Sequence, residues 1–111
     1  MLSLDEFLTE TKTDIMPQRS YVTEPGWNTL YVRHTWHYVE GTMRRTIDLA
    51  TIEAEKPGNG TFKILVSKLC ILYPQEIIYV ESVQSTRFAQ GLIRMGFKQI
   101  DDLPNYYMLP K

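Results

Sequence analysis

The chain has 111 residues, of which 43% are hydrophobic, and a formal net charge of −1. This length and apolar content suit one globular domain with a real core, and the small charge gives no general attraction to nucleic acid or anionic membranes. No apolar run approaches the roughly 20 residues that span a bilayer, and the N-terminus lacks a signal-peptide pattern. With Cys70 as its one cysteine, the chain excludes an internal disulfide, and we expect a cytoplasmic protein.

Residues 1–26 predict a short helix followed by a loop. Ser3 is a favourable N-cap, and Glu6 stands three residues further on, at the second position of a capping box. The narrow apolar face of residues 1–11 must pack on another element, because so short a helix is not stable alone. The prolines and the glycine of residues 13–26 favour a loop or a short edge strand.

Residues 27–55 predict a β-hairpin that contains the central strand of the sheet. Its first arm alternates and is rich in β-branched and aromatic residues, and residues 40–41 (Glu-Gly) suit a tight turn. With that turn, Arg33 lies directly opposite Asp48. Opposite charges in such a pair are favourable by about 0.2–1 kcal/mol, which supports this register.

A strand, a glycine loop and a helix follow one another in the middle of the chain. Residues 47–54 predict the strand, residues 63–72 have helical periodicity, and the loop 57–62 between them contains Gly58 and Gly60. Two glycines at this place let backbone N–H groups converge on an anion at the helix N-terminus, where the macrodipole favours negative charge. The sequence therefore points to the pyrophosphate of a phosphorylated cofactor.

Residues 56–111 complete the predicted domain with the glycine loop, two helices and the closing strands. In the second helix, Arg87 and Arg94 share a face that we expect in solvent, whereas Gly91 indicates a close approach to a strand or a cofactor. The other predicted elements are a buried strand at 76–83, a second helix from Ser85 or Thr86 to Gly96, and strands at 97–100 and 106–109. The predicted fold class is α/β (α+β): one domain, residues 1–111, with a mixed, mostly antiparallel sheet flanked by helices.

Residues 42–109 resemble the GCN5-related N-acetyltransferase (GNAT) family. The loop 57–62 and the helix after it match the family's cofactor loop, Gln/Arg-x-x-Gly-x-Gly/Ala, and residues 87–97 match its helix that ends in Gly-Phe. The pattern is most similar to small GNAT-like proteins of bacteriophages. The resemblance implies a truncated GNAT-like fold, acetyl-CoA as cofactor and, for a phage protein, the host cytoplasm as compartment.

Three residues depart from the family pattern. Pro57 replaces the basic or amide residue that opens the loop, and Phe62 replaces a small residue beside the cofactor. Leu92 stands where relatives often have the tyrosine that protonates the leaving thiolate. The region before the central strand is also short, which reduces the helices that usually cover the acceptor site.

Two functions remain open from the sequence. The first is acetyl-CoA-dependent transfer of an acetyl group to an amine, with an open acceptor side that favours a protein acceptor. The alternative is a catalytically degenerate GNAT-like phage protein that binds a host or virion protein. Neither function involves nucleic acid or a membrane.

The resemblance assigns cofactor binding to the end of the central strand and to the glycine loop. Glu53, expected on the same sheet face as Leu49 and Thr51, is the first candidate for the general base, and Glu81 is the second. The histidines lack a sequence cluster of further ligands, so no metal site is predicted. His34 is expected to be a core or rim residue and not a catalytic one. The residues expected to bind acetyl-CoA are Ile52, Glu53, Ala54, Lys56, Gly58, Asn59, Gly60, Thr61 and Phe62.

Overall fold

The computed structural model describes residues 1–110, which contain three helices and six strands. The strands form one sheet in the order β1-β2-β3-β4-β6-β5, in which β3 and β4 are parallel and all other neighbours are antiparallel. The predicted α/β (α+β) class is confirmed. None of the helices in residues 1–110 has the length and apolar character needed to cross a membrane. The elements are α1 (Leu4–Thr11), β1 (Gln18–Tyr21), β2 (Trp27–Val39), β3 (Thr42–Ala54), α2 (Thr61–Leu72), β4 (Ile77–Val80), α3 (Thr86–Met95), β5 (Lys98–Gln99) and β6 (Tyr106–Met108).

The ends of α1 and α3 follow from their capping residues. The Ser3 hydroxyl accepts a hydrogen bond from the Glu6 backbone N–H at 3.1 Å, and the Glu6 carboxylate accepts one from the Ser3 N–H at 3.0 Å. This is the predicted capping box. Ser85 caps α3 by accepting from the Phe88 N–H, and Gly96, with φ of 104°, ends the helix in the left-handed conformation.

The long hairpin of β2 and β3 has the predicted register from its turn to Val32, and two irregularities follow, between Val32 and Tyr31 and between Thr29 and Trp27. Arg33 lies opposite Asp48, as expected. Further along, Leu49 pairs with Val32 and Thr51 pairs with Tyr31, so Ala50 is an extra residue in β3.

The bulge at Ala50 changes the sheet face of every residue that follows it in β3. Neighbouring residues of β2 point to opposite faces, so Thr51 lies on the opposite face from Leu49. Glu53 shares its face with Thr51, as predicted. The prediction that Glu53 also shares a face with Leu49 is wrong, because it assumed a regular strand.

All three helices pack on one face of the sheet, which we call the helix face. Their buried residues, such as Leu8, Leu69 and Leu92, form one apolar core with strand residues such as Val32 and Leu49. Each of the three predicted segments of the chain contributes to this core. The short apolar stripe of α1 is stable here because it is buried against the sheet.

The opposite face, which we call the open face, has a smaller apolar cluster to which no helix of residues 1–110 contributes. That cluster consists of Val39, Ile77, Tyr79 and Tyr107, with Ile100 and Leu109 packed against them. The strand register places a cross-strand row of residues on this face: Arg33, Asp48, Tyr79 and Tyr107. The open face therefore combines aromatic and charged side chains.

The parallel strands β3 and β4 run together for only a short distance and then separate. They pair from Thr46 to Leu49 of β3, and the Glu81 N–H makes a last hydrogen bond, 3.2 Å long, to the Leu49 carbonyl. Beyond this point β3 continues to Ala54. The segment that follows β4 turns away at Ser82, which has a φ of 55°. The strand predicted at 76–83 is shorter for this reason, and a gap opens between β3 and α3.

Candidate functional site

A groove of about 890 Å³ lies in the gap where β3 and β4 have separated. Its walls are the end of β3, the glycine loop with the first turn of α2, and one side of α3. Lys56 and Asn59 are exposed in the loop and do not line it. The structure places the other seven residues expected around a cofactor on the groove: Ile52, Glu53, Ala54, Gly58, Gly60, Thr61 and Phe62.

The glycine loop lines this groove with Gly58 and Gly60. Gly58 and Gly60 have φ values of 88° and 76°, which residues with a side chain rarely adopt. An added Cβ at either position would meet no atom within 4 Å. Backbone conformation, and not lack of space, therefore requires glycine at these positions. Gly60 is the N-cap of α2 but supplies no side-chain cap, and the first turn contains no acidic residue. The first N–H groups of α2 are left without partners in the helix, at the positive end of its dipole.

Three basic residues line the same groove: Lys63 of α2 and Arg87 and Arg94 of α3. From the sequence both arginines were expected in solvent, with no connection to the glycine loop. Their spacing of seven residues predicts one common face, but only the packing of α3 shows that this face borders the groove. Gly91 lies between them, and a Cβ there would meet only the Arg94 guanidinium, at 3.9 Å. Because it has no side chain, Gly91 adds no bulk to this side of the groove, and it is not packed tightly against a strand.

Phe62 and Leu92, two of the departures from the family pattern, have different places in the structure. Phe62 lines the groove and packs edge-on against Phe88, with 5.0 Å between ring centroids. Leu92 is fully buried in the helix-face core and does not line the groove. It can neither donate a proton nor contact a ligand there.

Glu81 does not line the groove either, although it stands where the two strands separate. Arg33 Nη1 donates to both of its carboxylate oxygens, at 2.6 and 2.8 Å, on the open face. Burial, followed by the negative charge of Asp48, raises the pKa of Glu81, while the ion pair with Arg33 opposes that rise. Of the two carboxylates proposed from the sequence, only Glu53 borders the groove.

His37 and Asp48 form the centre of a polar cluster next to Glu81. His37 Nε2 and Asp48 Oδ2 are 2.5 Å apart, and the Thr46 hydroxyl donates to Asp48 Oδ1 at 2.6 Å. The His37 ring stacks on Tyr79, with centroids 3.9 Å apart and planes within 3°. This cluster was not predicted from the sequence because its members come from three different strands.

His34 is a core residue, as predicted. Its side chain is fully buried, Nδ1 hydrogen-bonds with the Thr11 hydroxyl at 2.7 Å, and Nε2 pairs with Glu76. Both ring nitrogens are therefore occupied by contacts that join α1 to the sheet and to the start of β4. No ligand role is left for this histidine.

No protein-family model, curated protein or solved structure matches this chain. Its class is therefore described from the fold and the groove alone. It is an α+β protein with a split parallel strand pair, and a groove with a glycine loop lies in the split.

Proposed function

We propose that the protein binds acetyl-CoA in the groove and transfers the acetyl group to an amine, as the resemblance to the GNAT family implies. The observation that supports this most strongly is the separation of two parallel strands beside a glycine loop at a helix N-terminus. A cofactor with a negatively charged end and a long, narrow amide-containing arm is complementary to that arrangement. The one cysteine is free, which agrees with a reducing compartment such as the cytoplasm.

In this proposal the charged end of the cofactor lies at the glycine loop. The N–H groups of the loop and of the first turn of α2 bind the pyrophosphate, since they lack partners and carry the positive end of the helix dipole. Lys63, Arg87 and Arg94 add positive charge around it. The loss of a basic residue at Pro57 is thereby compensated from α3.

The arm of the cofactor follows the free edge of β3. Beyond Leu49, this edge has no strand partner on the side of β4. Backbone groups alternate between the two edges of a strand, so the N–H and C=O groups of Ile52 and Ala54 are available for hydrogen bonds to the amides of the arm, in the manner of an added strand. The thioester would then lie near the point where β3 and β4 separate.

Glu53 is the proposed proton acceptor, since it is the one carboxylate among the residues that line the groove. The nitrogen of the acceptor amine attacks the thioester carbonyl, its proton passes to Glu53, and the C–S bond breaks to release the CoA thiolate. Because Leu92 has no hydroxyl and is buried, water protonates the thiolate. Glu81 takes second place because it does not line the groove and its carboxylate is paired with Arg33.

A second candidate function is binding of a host or virion protein without catalysis. Two observations favour it: Leu92 removes the usual acid from the groove, and Phe62 packs against Phe88 inside the groove. Under this alternative the groove retains its shape but does not support acetyl transfer. Cofactor binding and thiol release distinguish the two candidates.

The test measures the shift of the melting temperature with acetyl-CoA and the release of free thiol over a panel of amines and peptides. A ligand at 100 times its Kd should stabilise the fold by about 2.7 kcal/mol. Acetyl-CoA binding without thiol release would favour the binding protein. If acetyl-CoA does not stabilise the protein at all, the proposed cofactor is wrong.

A matched pair of glycine variants assigns the cofactor to this groove. Gly60→Val and Gly41→Val each place a side chain at positive φ where no atom lies within 4 Å, so both should lose similar stability. Gly41 is in the hairpin turn, far from the groove lining. Only Gly60→Val should weaken acetyl-CoA binding. Equal affinity in the two folded variants would remove the glycine loop from the site.

A further inference from the structure

The cluster on the open face brings together three side chains of the kind that bind metals. His37 from β2, Asp48 from β3 and Glu81 at the end of β4 each offer one ligand atom, and these atoms all lie within 4.8 Å of one another. None of the three lines the groove, so the cluster is separate from the proposed cofactor site. We propose that His37, Asp48 and Glu81 bind one divalent first-row transition metal ion, with Zn²⁺ as the best fit.

The orientation of His37 and Asp48 supports metal binding because each is held by a neighbour that does not compete for the ion. Thr46 binds the Oδ1 atom of Asp48 and leaves Oδ2 directed at His37. Tyr79 holds the imidazole plane by stacking, so that Nε2 faces the carboxylate. Contacts of this kind fix ligand geometry in metal sites.

The donor set selects the class of ion. Zn²⁺ accepts one imidazole nitrogen with carboxylate oxygens, whereas Mg²⁺ and Ca²⁺ prefer sites made of oxygen alone. Ligands at about 2.1 Å from a tetrahedral ion are about 3.4 Å apart. The 2.5 Å contact between His37 Nε2 and Asp48 Oδ2 therefore has to open by roughly 1 Å, and the ion replaces the hydrogen bond between these two atoms. The fourth position is left for water, as in zinc sites that stay open to solvent. The side chains of His37 and Glu81 are 29% and 20% exposed, which gives the ion a route from solvent to the buried Asp48.

Arg33 competes with the ion for the carboxylate of Glu81. Its Nη1 atom occupies both Glu81 oxygens, and an ion needs at least one of them. Arg33 supplies one positive charge against the two carboxylates of the cluster. Replacing Arg33 by a neutral residue should therefore strengthen metal binding, whereas most substitutions near a metal site weaken it.

The experiment titrates metal-free protein with Zn²⁺ by calorimetry and with Co²⁺ by visible absorption, with Mg²⁺ as the oxygen-preferring comparison. We expect one Zn²⁺ per chain, a Co²⁺ spectrum of low coordination number, and no competition from Mg²⁺. His37→Gln and Asp48→Asn should each weaken Zn²⁺ binding by at least about tenfold. Arg33→Gln should tighten it, and Glu10→Gln, an exposed carboxylate on α1, should change nothing.

Two results would overturn the proposal. One is the absence of stoichiometric Zn²⁺ binding by the unaltered protein. The other is unchanged affinity in His37→Gln, which would identify any bound zinc as an adventitious ion only. Circular dichroism checks the fold of each variant. If Asp48→Asn does not fold, the partly exposed His37 still decides the question, together with the sign of the Arg33→Gln effect.

Discussion

The groove and the open-face cluster are the two candidate sites of this protein, and they are formed in different ways. The groove lies at the free edge of β3 and combines the backbone of that edge, the glycine loop and the N-terminus of α2 with side chains of α3. On the open face, the cluster around Asp48 is formed by side chains from three strands, and no helix of residues 1–110 packs on its apolar part. Backbone sites arise from local chain conformation, whereas side-chain clusters arise from strand register.

Glu53→Gln should produce the largest effect and tests whether the groove is catalytic. If Glu53 accepts the proton, the variant should lose about 10²–10⁴-fold in thiol release while it keeps its affinity for acetyl-CoA, because the amide cannot take a proton. Turnover and cofactor titration on the same sample measure both quantities. Glu55→Gln is the matched control, since Glu55 is exposed and does not line the groove. Full activity in Glu53→Gln would shift the role to another group.

Leu92→Tyr is the next largest effect and tests whether α3 faces the groove or the core at this position. Leu92 is fully buried, so a larger side chain should cost about 1–3 kcal/mol of stability and bring no gain in turnover. Its neighbour Ile93 is 52% exposed, and Ile93→Tyr should leave stability almost unchanged. Melting temperature and thiol release separate the outcomes. A stable Leu92→Tyr protein with faster turnover would mean that the phenol reaches the groove.

Ser3→Ala should have the smallest effect of these three substitutions. It tests how much the N-cap of α1, one of the helices that pack on the helix face, contributes to stability. Loss of the N-cap hydrogen bond to the Glu6 N–H should cost about 1 kcal/mol. Ser67→Ala, at an exposed position within α2, should be neutral or slightly stabilising because alanine favours helix. Urea unfolding of the two variants gives the comparison. A cost as large for Ser67→Ala would contradict the capping explanation.

The same capping box predicts a weak acid dependence. Hydrogen bonds from the backbone and side chain of Ser3 lower the pKa of Glu6 in the folded protein. A carboxyl group with a lowered folded pKa contributes stability that is fully present above its unfolded pKa, about 4.3, and is lost as the pH falls through the folded pKa. Stability measured between about pH 5 and pH 3 should therefore fall less steeply in Glu6→Gln than in the unaltered protein.

The side of the groove made by β3 and the glycine loop was predictable, whereas the side made by α3 and the open-face cluster were not. The glycine loop, the helix after it and the end of β3 are consecutive in sequence, so a local pattern identifies seven of the nine expected groove residues. Arg87 and Arg94 were missed because their helix must first be packed before its inner side is known. The cluster was missed because His37, Asp48 and Glu81 are far apart along the chain and meet only through pairing.

The sequence by itself determined the features that depend on neighbouring residues. The capping box of Ser3 and Glu6, the Gly96 helix end and the pairing of Arg33 with Asp48 all follow from short-range hydrogen bonding and from the turn at residues 40–41. The two helix ends can be read from a few consecutive residues because local backbone geometry leaves few alternatives, and the strand pairing follows from the position of the turn.

Only the tertiary structure decided which face each site occupies. The extra residue at Ala50 turned Glu53 to the opposite face from Leu49, and nothing in the alternating pattern marks a bulge. The early turn at Ser82 opened the groove, and the packing of all three helices on one face left the other to a polar cluster. These outcomes depend on how whole elements bury their apolar faces together, which is a property of the assembled chain and not of any segment.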